Sequence, residues 1–323
     1  MTRAIAKHGW SIGLLAILVF LLVMTKVIQP NFGTTGLDAL SRAALPFAFC
    51  TVGMAIVVIA GGIDLSIASI MAVAGVVAAV LMQDAGDVQA GFIVLAVLGV
   101  GAGMGAINGT LIVLTKVPDI VVTLAMLFVW QGAALLVLNA PGGAATPWLR
   151  EVIVGPVTLP GLQPELTAWL PKSFVVLVAC VLIVWLPLRR SRLGLSIYAI
   201  GSDQQAAYRS GVPVGLTRIA AYALAGLFAA LGGLSITLST GIGEPIPGPY
   251  LLASVAAVVL GGVALTGGVG GILGPIIAVF ILRTLRLDLT LLSVDPNVTT
   301  IVEGAIMVAV VMAGGLLAMR GRR

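Results

Sequence analysis

Long apolar segments separated by short polar loops run through most of the chain. Within these segments, apolar and polar positions do not alternate as they do in the strands of a membrane β-barrel. A helix needs about 20 apolar residues to cross the hydrocarbon core of a bilayer, because each residue advances it by about 1.5 Å. The pattern therefore predicts an all-α, polytopic membrane protein with about ten transmembrane helices, at residues 11–28, 43–61, 65–83, 90–114, 119–139, 172–188, 217–239, 250–266, 270–287 and 299–318.

The basic residues predict the orientation of these spans. An even number of spans puts both termini on one side, and cytoplasmic loops carry an excess of Lys and Arg. With both termini in the cytoplasm, the inside collects Arg3, Lys7, Lys116, Arg189, Arg190, Arg192, Arg209, Arg218, Arg320, Arg322 and Arg323. The outside collects only Lys26, Arg42, Arg150, Lys172, Arg283 and Arg286. The first apolar run lacks a small-residue cleavage site after it, so we expect it to remain as the first helix.

Two loops stand out from the alternation of spans and turns. Residues 140–171 are rich in proline and are predicted to form an extracytoplasmic loop with little regular structure. Residues 189–217 form a cytoplasmic loop that is more polar than its surroundings. Neither loop resembles an interdomain linker, so we expect residues 1–323 to form a single transmembrane domain.

The cytoplasmic loop contains a polar island at residues 201–211. Ser202 followed by Gln205 fits a capping box, in which the Ser oxygen accepts a backbone N–H and the Gln side chain reaches back. Gly211 offers a left-handed helix stop, with Pro213 just beyond it. The pattern predicts one short helix outside the bilayer. These residues alone leave two interpretations open, a structured loop or a helix that a partner pushes.

Composition excludes several classes of protein. Hydrophobic residues make up 60% of the 323 residues and charged residues 9%, far below the roughly 25% of soluble domains. The net charge of +5 is scattered between apolar spans, which favours topology control over nucleic-acid binding. Cys50 and Cys180 lie in apolar segments without metal-ligand spacing, and His8 is the only histidine. We therefore expect no catalytic residues and no metal site, and we do not expect an enzyme.

Charged groups inside apolar segments are candidates for function, because burying a charge in a membrane is costly. Asp64 follows Gly61 and Gly62 at the start of the third predicted span, where a carboxylate can cap free backbone N–H groups. Glu303 lies one turn into the last span. It is expected to pair with an Arg, to line a translocation path or to reach the interface.

Uncharged polar residues in two neighbouring spans supply further candidates. Asn108 lies deep in a glycine-rich span, where bonding to a neighbouring backbone is favoured over ligand contact. Gln131 and Asn139, in the outer half of the fifth span, are candidate pathway residues.

Glycine spacing predicts close helix packing. Gly101, Gly105 and Gly109 share one helix face, and small residues at this spacing let membrane helices approach closely. A Gly-Gly-aliphatic-x-Leu-hydroxyl pattern occurs at 61–66 and again at 261–266, which either marks an internal repeat or is chance. The Gly-rich phosphate loop that ends in Gly-Lys-Ser or Gly-Lys-Thr is missing from the sequence, so ATP, if used, must be bound by another chain.

At these residues the chain resembles the permease family of bacterial ABC sugar importers, of the ribose, xylose and autoinducer-2 type. Four blocks carry the resemblance, in the family's order and over about two-thirds of the chain. They are Gly-Gly-Ile-Asp-Leu-Ser at 61–66; Asn108-Gly109 with Lys116-Val117-Pro118 and Thr123-Leu124; Gly194 with 198–201, Ala206-Ala207 and 210–212; and 256–262 with 267–270. Departures at Ala125 and at 190–194 are small and leave the solute unidentified.

The resemblance implies a role for each block. The polar island resembles the family's coupling helix, which docks on the ATPase subunit, and its residues here are Gly201, Ser202, Asp203, Ala206, Ala207, Arg209 and Gly211. The signature blocks assign structural or gating roles to Gly61, Gly62, Asp64, Ser66 and Asn108.

The family also implies the partners, which are an ABC ATPase that binds ATP, a periplasmic solute-binding protein, a second permease copy or paralogue, and inner-membrane lipid. The chain itself would need no cofactor. The alternative is an ion-coupled secondary carrier that uses Asp64 and Glu303. A membrane enzyme is a third reading, but the sequence offers no nucleophile and base to support it.

Overall fold

The computed structural model describes residues 2–158, 167–246 and 248–320. Within these ranges the chain is α-helical, and its β structure is limited to two isolated bridges. The helices are α1 (Thr2–Ile28), α2 (Thr34–Ile59), α3 (Ile67–Met82), α4 (Asp87–Thr115), α5 (Asp119–Val137), α6 (Pro147–Ile153), α7 (Lys172–Arg190), α8 (Arg192–Ser202), α9 (Gln204–Arg209), α10 (Val214–Thr240), α11 (Tyr250–Leu260), α12 (Leu273–Leu291) and α13 (Pro296–Arg320).

A helix lies at each predicted span, which confirms the all-α membrane class. In the part of the chain that the structure describes, six helices are long and apolar enough to cross a bilayer, namely α1, α2, α4, α5, α7 and α10. Several boundaries differ from the prediction, and two of the differences have clear reasons. Helix α2 begins at Thr34 rather than at residue 43. Its first turns contain Asp38 and Arg42, and the helix continues through these charged residues because the two side chains pair at 2.9 Å. Helix α11 ends at Leu260 rather than at 266, because the chain turns at Gly261 and Gly262.

The helices α2 and α10 form the centre of the bundle. In α2, 89% of the most apolar stretch is buried, and in α10 67%, whereas α1 and α5 bury only 11%. An apolar helix that is buried on all sides belongs to a core, and one that is apolar but exposed faces lipid or another subunit. The two central helices therefore hold the bundle together, and α1 and α5 lie at its edge.

Loop contacts define two ends of the bundle. The loops 60–66, 191–213 and 261–272 meet at what we call the glycine-rich end. At the opposite end, the Thr25 hydroxyl donates to the Asp288 carboxylate at 2.6 Å, and the Ala144 N–H donates to the Ala79 carbonyl at 3.0 Å. The loops that the sequence places inside are thus gathered at one end, and those that it places outside at the other.

The predicted extracytoplasmic loop has more structure than expected. Helix α6 lies within it, and Arg150 of α6 donates from Nε to the Leu238 carbonyl at 3.2 Å. Gly142 forms an isolated bridge with Gly243. Residues 159–166 of this loop, with Pro160 and Pro164, lie outside the described residues. The described part is attached to the end of α10 rather than loose.

The glycine face of α4 packs against α10, as its spacing predicts. A Cβ atom added at Gly105 would overlap the Tyr222 carbonyl, and one added at Gly101 would lie 2.6 Å from the Gly226 carbonyl oxygen. A Cβ atom added at Gly226 would in turn overlap the Gly101 carbonyl. The two backbones are in direct contact, and even a methyl group would push them apart.

Replacing Gly105 by Leu is therefore expected to destabilise the bundle by at least the roughly 1–3 kcal/mol that overpacking costs. Gly103 offers a matched control on the same helix, because a Cβ there has no neighbour within 4 Å. Thermal unfolding of the detergent-purified chain should show a lowered midpoint for Gly105→Leu and an unchanged one for Gly103→Leu. Equal midpoints for the two variants would contradict the packing.

Candidate functional site

The predicted coupling segment is a pair of helices with a sharp break between them. Helix α8 runs through Ser202, whose hydroxyl donates back to the Tyr198 carbonyl at 2.9 Å. Asp203 is the extended break residue, and its carboxylate accepts the N–H groups of Gln205 and Ala206, each at 2.9 Å. The predicted cap at Ser202 is wrong, because Ser202 is still helical and Asp203 is the residue free to turn its side chain onto α9.

The predicted stop at Gly211 is confirmed. Its φ of 81° lies in the left-handed region, and its N–H donates to the Tyr208 carbonyl at 3.0 Å. The Val212 N–H donates to the Ala207 carbonyl at 3.0 Å. These two bonds form the Schellman arrangement that ends helices at glycine. Helix α9 is therefore a single rigid turn held at both ends.

The orientation of α9 corrects one part of the prediction. Ala207 is only 5% exposed and packs into the chain's own core, so its side chain faces the bundle and not the exposed side of α9. Ala206 and Arg209 are exposed, together with Ser202 and Asp203. The sequence reasoning missed Tyr208, which is 73% exposed and is the large side chain that this turn presents.

Backbones from three loops touch at the glycine-rich end. A Cβ at Gly201 would overlap the Ile59 carbonyl, and the same carbonyl accepts the Gly268 N–H at 2.9 Å. Gly267, with a φ of 85°, would place a Cβ 2.8 Å from the Cα of Gly61. We call Gly61, Gly201, Gly267 and Gly268 the glycine junction. It joins the end of α8 directly to the loops that follow α2 and α11.

Tyr198 adds a side-chain bond beside the junction. Its hydroxyl donates to the Gly270 carbonyl at 2.8 Å. Burial raises the pKa of the Tyr198 phenol above its usual value, while the nearby Arg189 acts in the opposite direction. The hydroxyl therefore stays protonated at neutral pH and remains a donor.

The two loops that meet at the junction repeat one backbone arrangement. Gly61 has a φ of 84° and Gly262 a φ of 83°, and each turns the chain after an αR residue. The backbone bonds across the last turn match as well: Gly61 to Val58, Gly62 to Val57, Gly262 to Val259 and Val263 to Val258. The likeness is thus structural, but it is displaced by one residue from the alignment of 61–66 with 261–266.

The signature residues form a buried polar cluster of Asp64, Ser66, Asn108 and Trp130. Ser66 donates from both its N–H and its hydroxyl to Asp64 Oδ1, at 2.9 and 2.6 Å. Asn108 Nδ2 donates to the Ser66 oxygen at 2.7 Å, and Trp130 Nε1 donates to Asn108 Oδ1 at 3.2 Å. Residues far apart in the sequence are thus joined into one chain of hydrogen bonds. Trp130, the last link, is half-buried.

Asp64 does not act as the helix cap that its position suggested. Helix α3 begins at Ile67 with Ser66 in the cap position, and the carboxylate bonds Ser66 ahead of the helix. Asp64 is fully buried, and its Oδ2 has no hydrogen-bond partner. It therefore organises the turn between α2 and α3 and links that turn to α4.

A second set of bonds holds the same turn from the side of α5 and α10. The Leu65 N–H donates to Thr123 Oγ1 at 3.1 Å. The Tyr222 hydroxyl of α10 lies 3.4 Å from the Ile63 carbonyl oxygen of the turn and donates to Asp119 Oδ2 of α5 at 3.0 Å, and Arg218 lies 3.7 Å from Asp119 Oδ1. The turn between α2 and α3 is therefore bonded to three other helices.

Comparison with known proteins agrees with this arrangement. A family profile described as "Branched-chain amino acid transport system / permease component" matches residues 36–311. The glycine junction and the polar cluster lie within the matched segment, whereas α1 precedes it.

The chain belongs to this permease family. It is similar to proteins named autoinducer 2 import system permease protein LsrD, among them those of Escherichia coli K12 and Shigella flexneri. Each is 31% identical over 316 residues, which cover 95% of this chain and 92% of the relative. No solved structure matches the chain significantly. The protein is therefore a membrane permease subunit of an ABC-type importer.

The candidate pathway residues of the permease do not form one site. Gln131 is half-buried beside Trp130, and Asn139 is exposed beyond the end of α5. Glu303 lies 3.5 Å from Arg286, which fits the first of the three roles expected for it. In the described residues, no group of three or more His, Cys, Asp or Glu side chains is placed to hold a metal ion.

The polar cluster should contribute to the stability of the permease. Asn108→Leu removes a donor from Ser66 and an acceptor from Trp130, and a buried group left unsatisfied costs about 1–3 kcal/mol. Thr110→Val on the same helix is the control, because Thr110 bonds only the Ala106 carbonyl of its own helix. Denaturant unfolding in mixed micelles should show the loss for Asn108→Leu alone. Equal stability of both variants would mean that the cluster is energetically neutral.

The glycine junction predicts a second pair of variants. Gly201→Ala places a methyl group on the Ile59 carbonyl and should displace α8, whereas Gly271→Ala in the neighbouring loop meets nothing within 4 Å. Limited proteolysis of the loop at 191–213 should be faster in Gly201→Ala than in the wild type, and unchanged in Gly271→Ala. Unchanged cleavage of Gly201→Ala would show that the junction is loose.

Proposed function

We propose that this permease forms the translocation pathway for a sugar or a sugar-like small polar solute in the bacterial inner membrane. Support for the solute class comes from the family blocks in the sequence and from relatives named as parts of an autoinducer 2 import system. The chain does no covalent chemistry in this role. It needs no cofactor, because the partner ATPase binds the ATP.

The observation that carries the mechanism is the glycine junction. Helix α9 follows α8 directly, and Gly201 in the last turn of α8 lies against the Ile59 carbonyl of α2 and against Gly268. A displacement of α9 by the ATPase therefore moves the ends of α2 and α11 directly. The Asp64 turn follows α2 and carries the movement to α4 and α5. The exposed residues Ser202, Asp203, Ala206 and Arg209, together with Tyr208, form the docking surface.

The proposed topology has ten spans and cytoplasmic termini in a single domain of residues 1–323. Besides the six long apolar helices, α3, α11, α12 and α13 connect the two ends of the bundle. The loop contacts support this arrangement. Trp10 near the start of α1 donates to the Leu260 carbonyl at the glycine-rich end, and Thr25 near its end contacts Asp288 at the opposite end. The glycine-rich end then faces the cytoplasm, in agreement with the distribution of basic residues.

The remaining partners follow from this topology. A periplasmic solute-binding protein delivers the solute to the opposite end, at the loop of residues 140–171. A second copy or a paralogue completes the pathway, and the exposed sides of α1 and α5 contact lipid or that second subunit.

An ion-coupled carrier is the second candidate, and Asp64 is the observation that favours it. A fully buried carboxylate with an unpartnered Oδ2 resembles a proton site. Glu303, the other residue that such a carrier would use, is instead paired with Arg286 in a different cluster. The carrier also leaves the capped α9 without a role.

Tyr208→Ala tests the proposed coupling surface. Exposed aromatic residues often dominate an interface, so its removal should weaken binding of the cognate ATPase by about tenfold or more, or roughly 1.4 kcal/mol. The control is Trp169→Ala, which removes an aromatic side chain, 60% exposed, from the opposite end. ATPase binding is measured on the permease in nanodiscs, and solute uptake in proteoliposomes with ATP inside.

Two results would contradict the proposal. One is full ATPase binding and ATP-dependent uptake by Tyr208→Ala. The other is uptake that needs no ATP and stops when an ionophore collapses the proton gradient, which would favour the carrier.

A further inference from the structure

Helix α12 carries charged side chains where a bilayer would bury them. Arg283 lies eight residues before the end of α12 at Leu291, which is about 12 Å along the helix axis. Arg286 and Asp288 follow toward the opposite end. Charged groups at such depth are costly and are normally paired or functional. Each of these three side chains therefore needs a partner.

Two of the three charges have partners within the chain. The Asp288 carboxylate accepts a hydrogen bond from the Thr25 hydroxyl at 2.6 Å. Arg286 Nη1 lies 3.5 Å from Glu303 Oε2, a long contact for an ion pair. Arg286 is thus held loosely by a carboxylate from α13.

Arg283 has no carboxylate of its own. The ion pairs among the described residues are Arg42–Asp38, Arg218–Asp119 and Arg286–Glu303, and Arg283 is in none of them. Its guanidinium instead lies over two aromatic rings, 5.1 Å from the centroid of Phe47 and 5.6 Å from that of Tyr250. Its Nε is buried without a hydrogen-bond partner. The rings hold the guanidinium in place, and among the described residues no carboxylate lies within ion-pair distance of it.

Two cavities meet at these arginines. One of about 400 Å³ is lined by Arg283 and Arg286 with Phe47, Tyr250, Thr300 and Glu303 among others. A second of about 440 Å³ is lined by the same two arginines with Gln29, Asn31 and Thr290 among others, and Gln29 and Asn31 lie in the loop between α1 and α2. Both volumes suit a small molecule. The two arginines therefore line both cavities, toward the opposite end of the bundle.

We propose that Arg283 and Arg286 bind an anionic oxygen group, a phosphate or a carboxylate, on the small solute that the permease carries. The lining of the first cavity supplies two guanidinium groups and one carboxylate, so one positive charge is left for a ligand. Guanidinium groups suit phosphate and carboxylate because their N–H donors form a planar fork. Glu303 holds Arg286 while the site is empty and gives it up when the anion enters. This inference deepens the proposed function and rests on it.

Equilibrium dialysis of radiolabelled inorganic phosphate against the full chain in phosphatidylcholine nanodiscs tests the site directly. Ribose 5-phosphate and neutral ribose serve as competitors. Phosphate should bind, ribose 5-phosphate should displace it, and ribose should not. Arg283→Gln should weaken phosphate binding at least tenfold, and Arg283→Lys should restore part of the affinity because the charge returns.

Two further variants separate a specific effect from a loss of folding. Glu303→Gln removes the carboxylate that competes for Arg286, so it should strengthen phosphate binding several-fold. Arg42→Gln removes a paired arginine that lines neither cavity, and it should leave the affinity unchanged. Opposite effects of Arg283→Gln and Glu303→Gln cannot come from general destabilisation.

Three outcomes would overturn the inference. They are no phosphate binding by the wild type, equal affinity in Arg283→Gln, and displacement by neutral ribose. A lipid headgroup offers the same chemistry, so the dialysis is repeated with phosphatidylglycerol in the nanodiscs. Phosphatidylglycerol that co-purifies with the wild type and not with Arg283→Gln would assign the site to lipid and overturn the solute assignment.

The two proposals fail separately. If phosphate does not bind while Tyr208→Ala still uncouples the ATPase, the anion site is wrong and the importer mechanism stands. If phosphate binds through Arg283 while uptake needs no ATP, the site stands as a carrier site and the importer mechanism falls.

Discussion

Direct contact between backbones at glycine is the constraint on which the rest of this structure depends. Lipid tails are as apolar as Leu side chains, so helices in a bilayer gain little from burying apolar surface against each other. They associate where small residues let main chains touch. Here that happens along Gly101 and Gly105 against α10, and again at the glycine junction. The first contact fixes two helices of the bundle, and the second fixes the loop of residues 191–213 to that bundle.

The buried polar cluster is acceptable because the glycine contacts bring its members close together. An unpaired polar group in a dry interior is costly, and Ser66, Asn108 and Trp130 avoid that cost only by bonding each other. Asn108 is one residue from Gly109, whose missing side chain lets α4 approach α10 at Ile219. Close packing and hydrogen bonding thus depend on each other. A shift of α4 would open the cluster as well as the helix contact.

Local patterns in the sequence predicted where the helices lie and where α9 stops. They did not predict which face of α9 is buried or which distant side chains form hydrogen bonds with each other. Gly211 could be recognised because its left-handed turn depends on neighbouring residues alone. Ser202 and Asp203 are both good caps, and only the length of α8 decides between them. The burial of Ala207 depends on packing against other parts of the chain. The link from Asp64 through Ser66 to Asn108 joins a turn to a distant helix, and hydropathy carries no signal for it.

The proposed docking surface for the ATPase and the proposed anion site lie at opposite ends of the molecule. Helix α2 connects the two ends, and the charges at each end are paired differently. Near the glycine-rich end, the Asp119 carboxylate is paired with Arg218 and accepts a hydrogen bond from Tyr222, so its charge is compensated within the chain. Near the other end, the Arg283 charge rests on Phe47 of α2. Ile59, at the end of α2, accepts the Gly268 N–H in the junction. Twelve residues separate Phe47 from Ile59, or about 18 Å of buried helix. Because α2 is a continuous helix that is buried from Phe47 to Ile59, we expect a displacement at the junction to reach the ring on which Arg283 lies.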